Sequence, residues 1–317
     1  MCTAILYKNG NSYFGRNLDL ERGYGERVVI TPRRYDFKFR QATNIDMHYA
    51  MIGMAAVVDD FPLYYEATNE MGLSIAGLSF PENAVYSEYE STKTNIASFE
   101  FIPWVLCQCS TLTEAKKLIE KTNLTCVSFN GALPASPLHW MISDRKHSIV
   151  IESLTEGIGI YENPFDVLTN NPPFEYHRIN ASNYMSLQAG AVKNALCKDI
   201  PLKNYSFGMG AIGLPGDFSS ASRFIRALFV KENSVADSNE QSSVNQFFHI
   251  LTSVAMPRGC VSTANGFEYT RYSSCCNADK GIYYYTTYNN PTVNSISMNE
   301  ENLEQSRLIE YTVTGLE

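Results

Sequence analysis

No stretch of this 317-residue sequence is apolar for the ~20 residues that a membrane-spanning helix needs. The opening MCTAILYKNG has no basic leader segment, and Lys8 interrupts its apolar run, so neither a secretory leader nor a lipoprotein signal is read there. A cytoplasmic address is expected, without membrane insertion. Positive charge is in short supply, 25 Lys and Arg against 33 Asp and Glu, for a net charge of −8. That balance argues against nucleic acid and anionic membranes as partners. It still permits an anionic substrate, because a local pair of arginines can override the global sign.

Several catalytic signatures are missing. There is no phosphate-binding loop, no His-Glu-x-x-His and no Gly-x-Ser-x-Gly, and the five histidines (His48, His139, His147, His177 and His249) are scattered. His139, between Leu138 and Trp140, reads as a satisfied core residue rather than a catalytic base. None of the eight cysteines is spaced like a zinc ligand, so no metal and no cofactor is expected. Cys107, Cys109, Cys126, Cys197, Cys260, Cys275 and Cys276 read as buried free thiols packed as small hydrophobes. The segment Gly208-Met-Gly210-Ala-Ile-Gly213 spells a dinucleotide-binding pattern, but no buried strand precedes it and Pro215-Gly216 stand where its helix should run. It reads as a glycine-rich loop.

What is present is a globular composition, 44% hydrophobic and 18% charged, with length enough for a sizeable core without disulfide or metal staples. Residues 2–7 and 12–17 read as strands joined at Asn9-Gly10, a dipeptide suited to a type I′ turn. Further strands are expected over 27–31, 48–58, 73–80, 138–143, 148–152, 157–161, 167–169, 269–275, 281–288 and 294–298. Helical spacing marks 98–107, 113–121 (capped by Thr111 or Thr113), 174–187, 220–231 and 243–254. Strands interleaved with helices indicate an α+β or layered architecture, and no linker divides the chain, so residues 2–317 read as one domain.

The residue with unusual chemistry is Cys2. Once Met1 is removed, its thiol and its own α-amine share one residue, and the amine, which titrates near ~8 in the unperturbed state, can take the thiol proton near neutrality. Such a nucleophile needs no histidine. The hairpin returns Arg16 and Asp19 beside it, where a guanidinium favours the thiolate and a carboxylate holds the ammonium. Taken alone, these residues could equally be an ordinary strand-end ion pair next to an ordinary cysteine.

The segments MCTAILY, YFGRNLDL, NEMGLSIAGLSFP, PLHWMISD, VLTNNPPFEYH, GLPGDFSSASRFIRA and KGIYYYTTY, in this order, resemble the choloylglycine hydrolase family, which includes bile salt hydrolases and penicillin V acylases. The sequence is most similar to the bile salt hydrolases of gut Gram-positive bacteria. The resemblance implies an N-terminal-nucleophile amidohydrolase with a four-layer αββα sandwich, two antiparallel sheets flanked by helices, commonly assembled as a homotetramer. It implies Cys2 as nucleophile, Arg16 and Asp19 as its charged neighbours, Asn170 as the oxyanion-stabilising amide and Arg223 as the second active-site arginine. Arg226 reads as a structural helix arginine. Leu18, Val58, Phe129, Leu133 and Leu138 match pocket-lining positions, where a steroid's rigid apolar face would sit.

One position departs from the family. Gly77-Leu78-Ser79-Phe80 carries serine where bile salt hydrolases usually have asparagine and penicillin V acylases often have tyrosine. The expected reaction is hydrolysis of glycine- or taurine-conjugated bile salts, with the oxyanion held by Asn170 and a backbone N–H near Ser79. Penicillin V or another N-acyl amide is the alternative substrate, and a non-catalytic steroid-binding module the alternative class.

A direct consequence is that the active protein lacks Met1. Intact-mass measurement of the active species should show Cys2 as its first residue, and full activity from a homogeneous Met1-retaining sample would overturn an amine-assisted mechanism.

Overall fold

The computed structural model describes residues 1–316. In chain order its strands begin with β1 (Cys2–Asn9), β2 (Asn11–Leu20), β3 (Glu26–Thr31), β4 (Met51–Val58), β5 (Phe61–Asn69), β6 (Ser74–Ser79) and β7 (Thr94–Ala97). Helices α1 (Phe101–Gln108) and α2 (Leu112–Ile119) precede β8 (Thr122–Thr125), β9 (Leu138–Ser143), β10 (Ser148–Leu154), β11 (Gly157–Glu162) and β12 (Val167–Leu168). Helices α3 (Phe174–Ala181), α4 (Ser220–Glu232) and α5 (Glu240–Thr252) follow. The chain then returns to strands: β13 (Val261–Thr263), β14 (Gly266–Asn277), β15 (Ile282–Thr287), β16 (Asn290–Ser297) and β17 (Ile309–Thr312).

These elements form an α+β sandwich of two antiparallel sheets. One has the order β12-β1-β2-β14-β15-β16, with β13 on β14; the other runs β11-β10-β9-β6-β5-β4-β3-β17. In the second sheet the period of two sorts side chains between layers. Val28, Ile30, Ile52, Met54, Ala76, Leu78, Met141 and Val150 join the cluster containing the first sheet, α4 and α5. Their neighbours Val29, Met51, Ile75, Ile142, Ile149 and Ile151 join a second cluster with α1 and α2. Both faces are therefore covered, which is why these strands read as continuous apolar runs.

The hairpin forms where the sequence places it. Gly10 has φ 72, the left-handed geometry of its turn, and the register pairs Cys2 with Leu18 and Ala4 with Arg16. Gly15 serves a different need: a Cβ there would lie 2.0 Å from the Ser274 carbonyl oxygen, so only glycine lets β2 and β14 approach this closely. Strand β5 was not anticipated, because its burial departs from simple alternation. The helix expected over 174–187 ends at Ala181 and continues as a short 3₁₀ turn, and 208–213 is a loop with a 3₁₀ turn, as expected. No described helix is long and apolar enough to cross a membrane.

All eight cysteines are free, but their burial differs from expectation. Cys126 and Cys260 are exposed and Cys197 is half-buried, because all three lie outside helices and strands, where no packed layer covers them.

Candidate active site

Cys2 opens β1 and is 2% exposed. Its backbone nitrogen donates to Asn170 Oδ1 at 2.8 Å, so the amine released by Met1 removal already faces the asparagine. Asp19 lies on the paired strand, and its backbone N–H and C=O both bond Met1, at 3.0 and 2.9 Å. Its Oδ1 accepts from Thr270 at 2.6 Å, while its buried Oδ2 makes no hydrogen bond. The Met1 ammonium also pairs with Glu268. Burial holds that amine below its ordinary value, against the pull of the Cys2 thiolate and Asp19.

Arg16 is fully buried on β2. Its Nη1 donates across the sandwich to the carbonyls of Gly77 (2.5 Å) and Tyr65 (3.1 Å), and Nε to that of Asn17 at 3.3 Å. Nη2 is buried with no hydrogen-bond partner. Burial opposes the guanidinium charge, yet the Cys2 thiolate, Tyr272, Glu66 and Asp19 outweigh it and hold the arginine firmly protonated.

The Asn170 side chain has an unambiguous orientation. Oδ1 sits between two donors, Cys2 N and Arg223 Nη2 (2.7 Å), and Nδ2 donates to the Ser79 carbonyl at 2.7 Å. One of the two amide hydrogens is therefore committed to Ser79, and the other is left uncommitted. The backbone around it is equally fixed: Asn170 N–H donates to Ser220 Oγ (2.9 Å), and the Asn170 carbonyl accepts from His177 Nε2 (2.9 Å). The neighbouring Thr169 carbonyl is held by His139 at 2.9 Å. His139 is a satisfied core histidine as expected, its other nitrogen 3.1 Å from Glu152.

The motif GDFSSASRFIRA builds the supporting helix end. Ser219 caps α4 by accepting from Ser222 N–H, and Ser220 and Arg223, three apart, share the face turned toward Asn170. Arg223 is fully buried, donating to the Cys2 carbonyl (2.5 Å), Thr3 Oγ1 (2.8 Å) and Asn170. It does not line the cavity, so it acts from behind, through the atoms it holds. Arg226 is structural, bonding the carbonyls of Ser253, Pro215 and Asp217.

Cys2, Arg16 and Ser79 share a cavity of about 550 Å³ with all five expected apolar positions: Leu18, Val58, Phe129, Leu133 and Leu138. Leu20, Leu63, Tyr65, Phe99 and Pro134 complete much of the apolar wall, and no carboxylate lines it. Phe129 is fixed by Arg40, which bonds its carbonyl at 3.0 Å and lies 5.2 Å from its ring centre. No cluster of His, Cys, Asp or Glu able to hold a metal exists among the described residues.

Residues 2–311 match the sequence model of the linear amide C–N hydrolases, choloylglycine hydrolase family. The chain belongs to the choloylglycine hydrolase family. It is 53% identical to the bile salt hydrolase/transferase of Lactiplantibacillus plantarum, covering 98% of this chain and 96% of that protein. Against the bile salt hydrolase/transferase of Clostridium perfringens the identity is 38%, with 98% and 96% covered. A crystal structure of the C2A variant of conjugated bile acid hydrolase from Clostridium perfringens superposes with a TM-score of 0.92 at 36% identity, covering 99% and 98%. Penicillin V acylase from Agrobacterium tumefaciens, at 19% identity and a TM-score of 0.78 over 98% and 90% of the chains, shares the fold. Membership makes the chain a linear amide C–N hydrolase with an N-terminal-nucleophile fold.

Reading the sequence missed Glu66, Ser220 and His177. The lone acidic residue inside Tyr64-Tyr65-Glu66-Ala67 was the available signal for the first, and the Ser-Ser cap before Arg223 for the second. His177 had no local signal.

His177 generates a pH prediction. Burial lowers it to about 4, further opposed by Arg223, so it is neutral with Nε2 donating to Asn170. Its folded value lies below its unfolded one, so its contribution to stability is complete above about pH 6.5 and is lost as pH falls through about 4, up to roughly 3 kcal/mol. His177→Gln keeps a donor and removes the titration. Urea unfolding at pH 4, 5 and 7 should show a smaller acid loss than wild type, and identical pH slopes would refute the assignment.

Proposed function

We propose that the protein hydrolyses the amide joining a bile acid to glycine or taurine, with Cys2 as the nucleophile. The carrying observation is that Cys2 opens into an apolar cavity, beside a buried arginine and an amide with one donor hydrogen free. A cavity of about 550 Å³ lies within the range of roughly 300–1,000 Å³ typical of small-molecule sites. The names of the relatives described above support the same substrate.

The Cys2 thiolate attacks the amide carbon, forming the C–S bond and placing the charge on the carbonyl oxygen. The remaining Asn170 Nδ2 hydrogen and a backbone N–H near Ser79 bind that oxyanion, and the Arg16 guanidinium beside the cavity offers positive charge to the attacking sulfur. The Cys2 amine delivers a proton to the departing nitrogen as the C–N bond breaks, releasing glycine or taurine. Water, deprotonated by the same amine, then attacks the thioester and frees the bile acid and the thiol. Asp19 orients the amine throughout, and Arg223 holds Asn170 and the Cys2 carbonyl in register.

The protein is further proposed to be cytoplasmic, which its free cysteines support. We also propose a homotetramer. Exposed apolar side chains concentrated between residues 185 and 212, including Met185, Leu196, Tyr205 and Phe207, support association between copies. Analytical ultracentrifugation should give four times the mass of the chain, and a monomer at micromolar concentration would dismiss this.

The enzymatic test is a panel of glycocholate, taurocholate and penicillin V with wild type, Cys2→Ala, Asn170→Ala and Ser79→Ala. Cys2→Ala should abolish turnover. Asn170→Ala should cost on the order of 10²–10³ in kcat, the usual loss for one oxyanion donor. Ser79→Ala should cost less than about tenfold, ~1.4 kcal/mol, since the backbone donor survives. Turnover of penicillin V with both bile salts untouched would replace the substrate, and an active Cys2→Ala would remove the mechanism.

A further inference from the structure

Strand register places the Glu66 carboxylate inside the sandwich. Glu66 pairs laterally with Met54 on β4 and Ala76 on β6, both on the inner apolar face, and is itself 2% exposed. An ionised carboxylate in such a position is costly unless it is paired and hydrogen-bonded. Both conditions are met from the opposite sheet. Tyr272 on β14 donates to Oε2 at 2.8 Å, Tyr283 on β15 donates to Oε1 at 2.6 Å, and Arg16 Nε lies 3.9 Å from Oε2. Glu66 does not line the cavity.

We propose that Glu66, clamped by the Tyr272 and Tyr283 hydroxyls, is a positioning residue: the fixed counter-charge that sets how much of the Arg16 positive field reaches the Cys2 sulfur. This deepens the cysteine-nucleophile reading above and rests on it. Burial pushes both phenols well above their ordinary range, so they remain O–H donors at any working pH. Burial also raises Glu66, and Arg16 with the two tyrosines and Ser274 opposes that shift. The ionisable groups facing Glu66 are Arg16, Tyr272, Tyr283, Tyr65 and Cys276; those facing Cys2 are Arg16, Asp19, Arg223 and the terminal amine. Arg16 alone belongs to both sets, 3.9 Å from Glu66 on one side and lining the same cavity as Cys2 on the other, so it transmits the effect. Removing the Glu66 charge leaves the guanidinium bound to three backbone carbonyls with one counter-charge fewer, and its pull on the thiolate grows.

The experiment follows iodoacetamide alkylation of Cys2 in substrate-free enzyme from pH 4 to 9, resolved residue by residue by peptide mass mapping. The exposed Cys126 and Cys260 serve as reference thiols on the same molecule. In Glu66→Gln the Cys2 midpoint should move to lower pH by roughly half a unit or more, with the reference thiols unmoved. The acid limb of kcat/KM should move with it, and KM should change less than about twofold because Glu66 does not touch the cavity. Glu66→Asp, which restores the charge, should return the midpoint toward wild type. If Glu66→Gln does not fold, Tyr283→Phe, which weakens ionisation of Glu66, should give a smaller shift of the same sign. An unmoved or raised Cys2 midpoint in a folded variant overturns the proposal while leaving Cys2 as nucleophile, which the Cys2→Ala assay decides separately.

Discussion

The carboxamide of Asn170 is hydrogen-bonded at both ends: its oxygen accepts from the Cys2 backbone nitrogen and from Arg223, and its nitrogen donates to the Ser79 carbonyl. Through these bonds one side chain joins the start of β1, the first turn of α4 and the end of β6, three segments far apart in sequence. Because its donors and acceptors cannot exchange roles, the amide can face only one way, and its free hydrogen points wherever that orientation allows. His177, His139 and Ser220 hold the backbone on which it sits. The Cys2 backbone nitrogen and the Asn170 carboxamide are thus set by one network, and loosening any member would leave buried polar atoms unsatisfied.

The second constraint is buried charge. Arg16, Arg223, Asp19 and Glu66 are each at most 2% exposed, and all lie where an apolar core would be more stable. The sandwich tolerates them because backbone carbonyls, hydroxyls and opposite charges surround each in turn. Among these four charged groups, Arg16 Nη2 and Asp19 Oδ2 are buried without a hydrogen-bond partner, and both groups are coupled electrostatically to the start of the chain.

The sequence by itself determined what depends on short range. Asn9-Gly10 dictated the hairpin, the hairpin dictated that Arg16 and Asp19 return beside Cys2, and the long motifs carried the family and hence the sandwich. The five apolar positions were legible only through that resemblance, since lining and core look alike in composition. Tertiary structure decided the rest, because it depends on pairings between distant strands. Burial of both faces blurred the alternation that would have announced β5, and with it Glu66. That Arg223 works from behind the cavity, and that Asn170 has already spent one of its hydrogens on Ser79, follows from the docking of α4 and β6 against β1. Local sequence prescribes how a segment bends; which polar atoms meet across a sandwich is settled only when the two sheets close and water leaves.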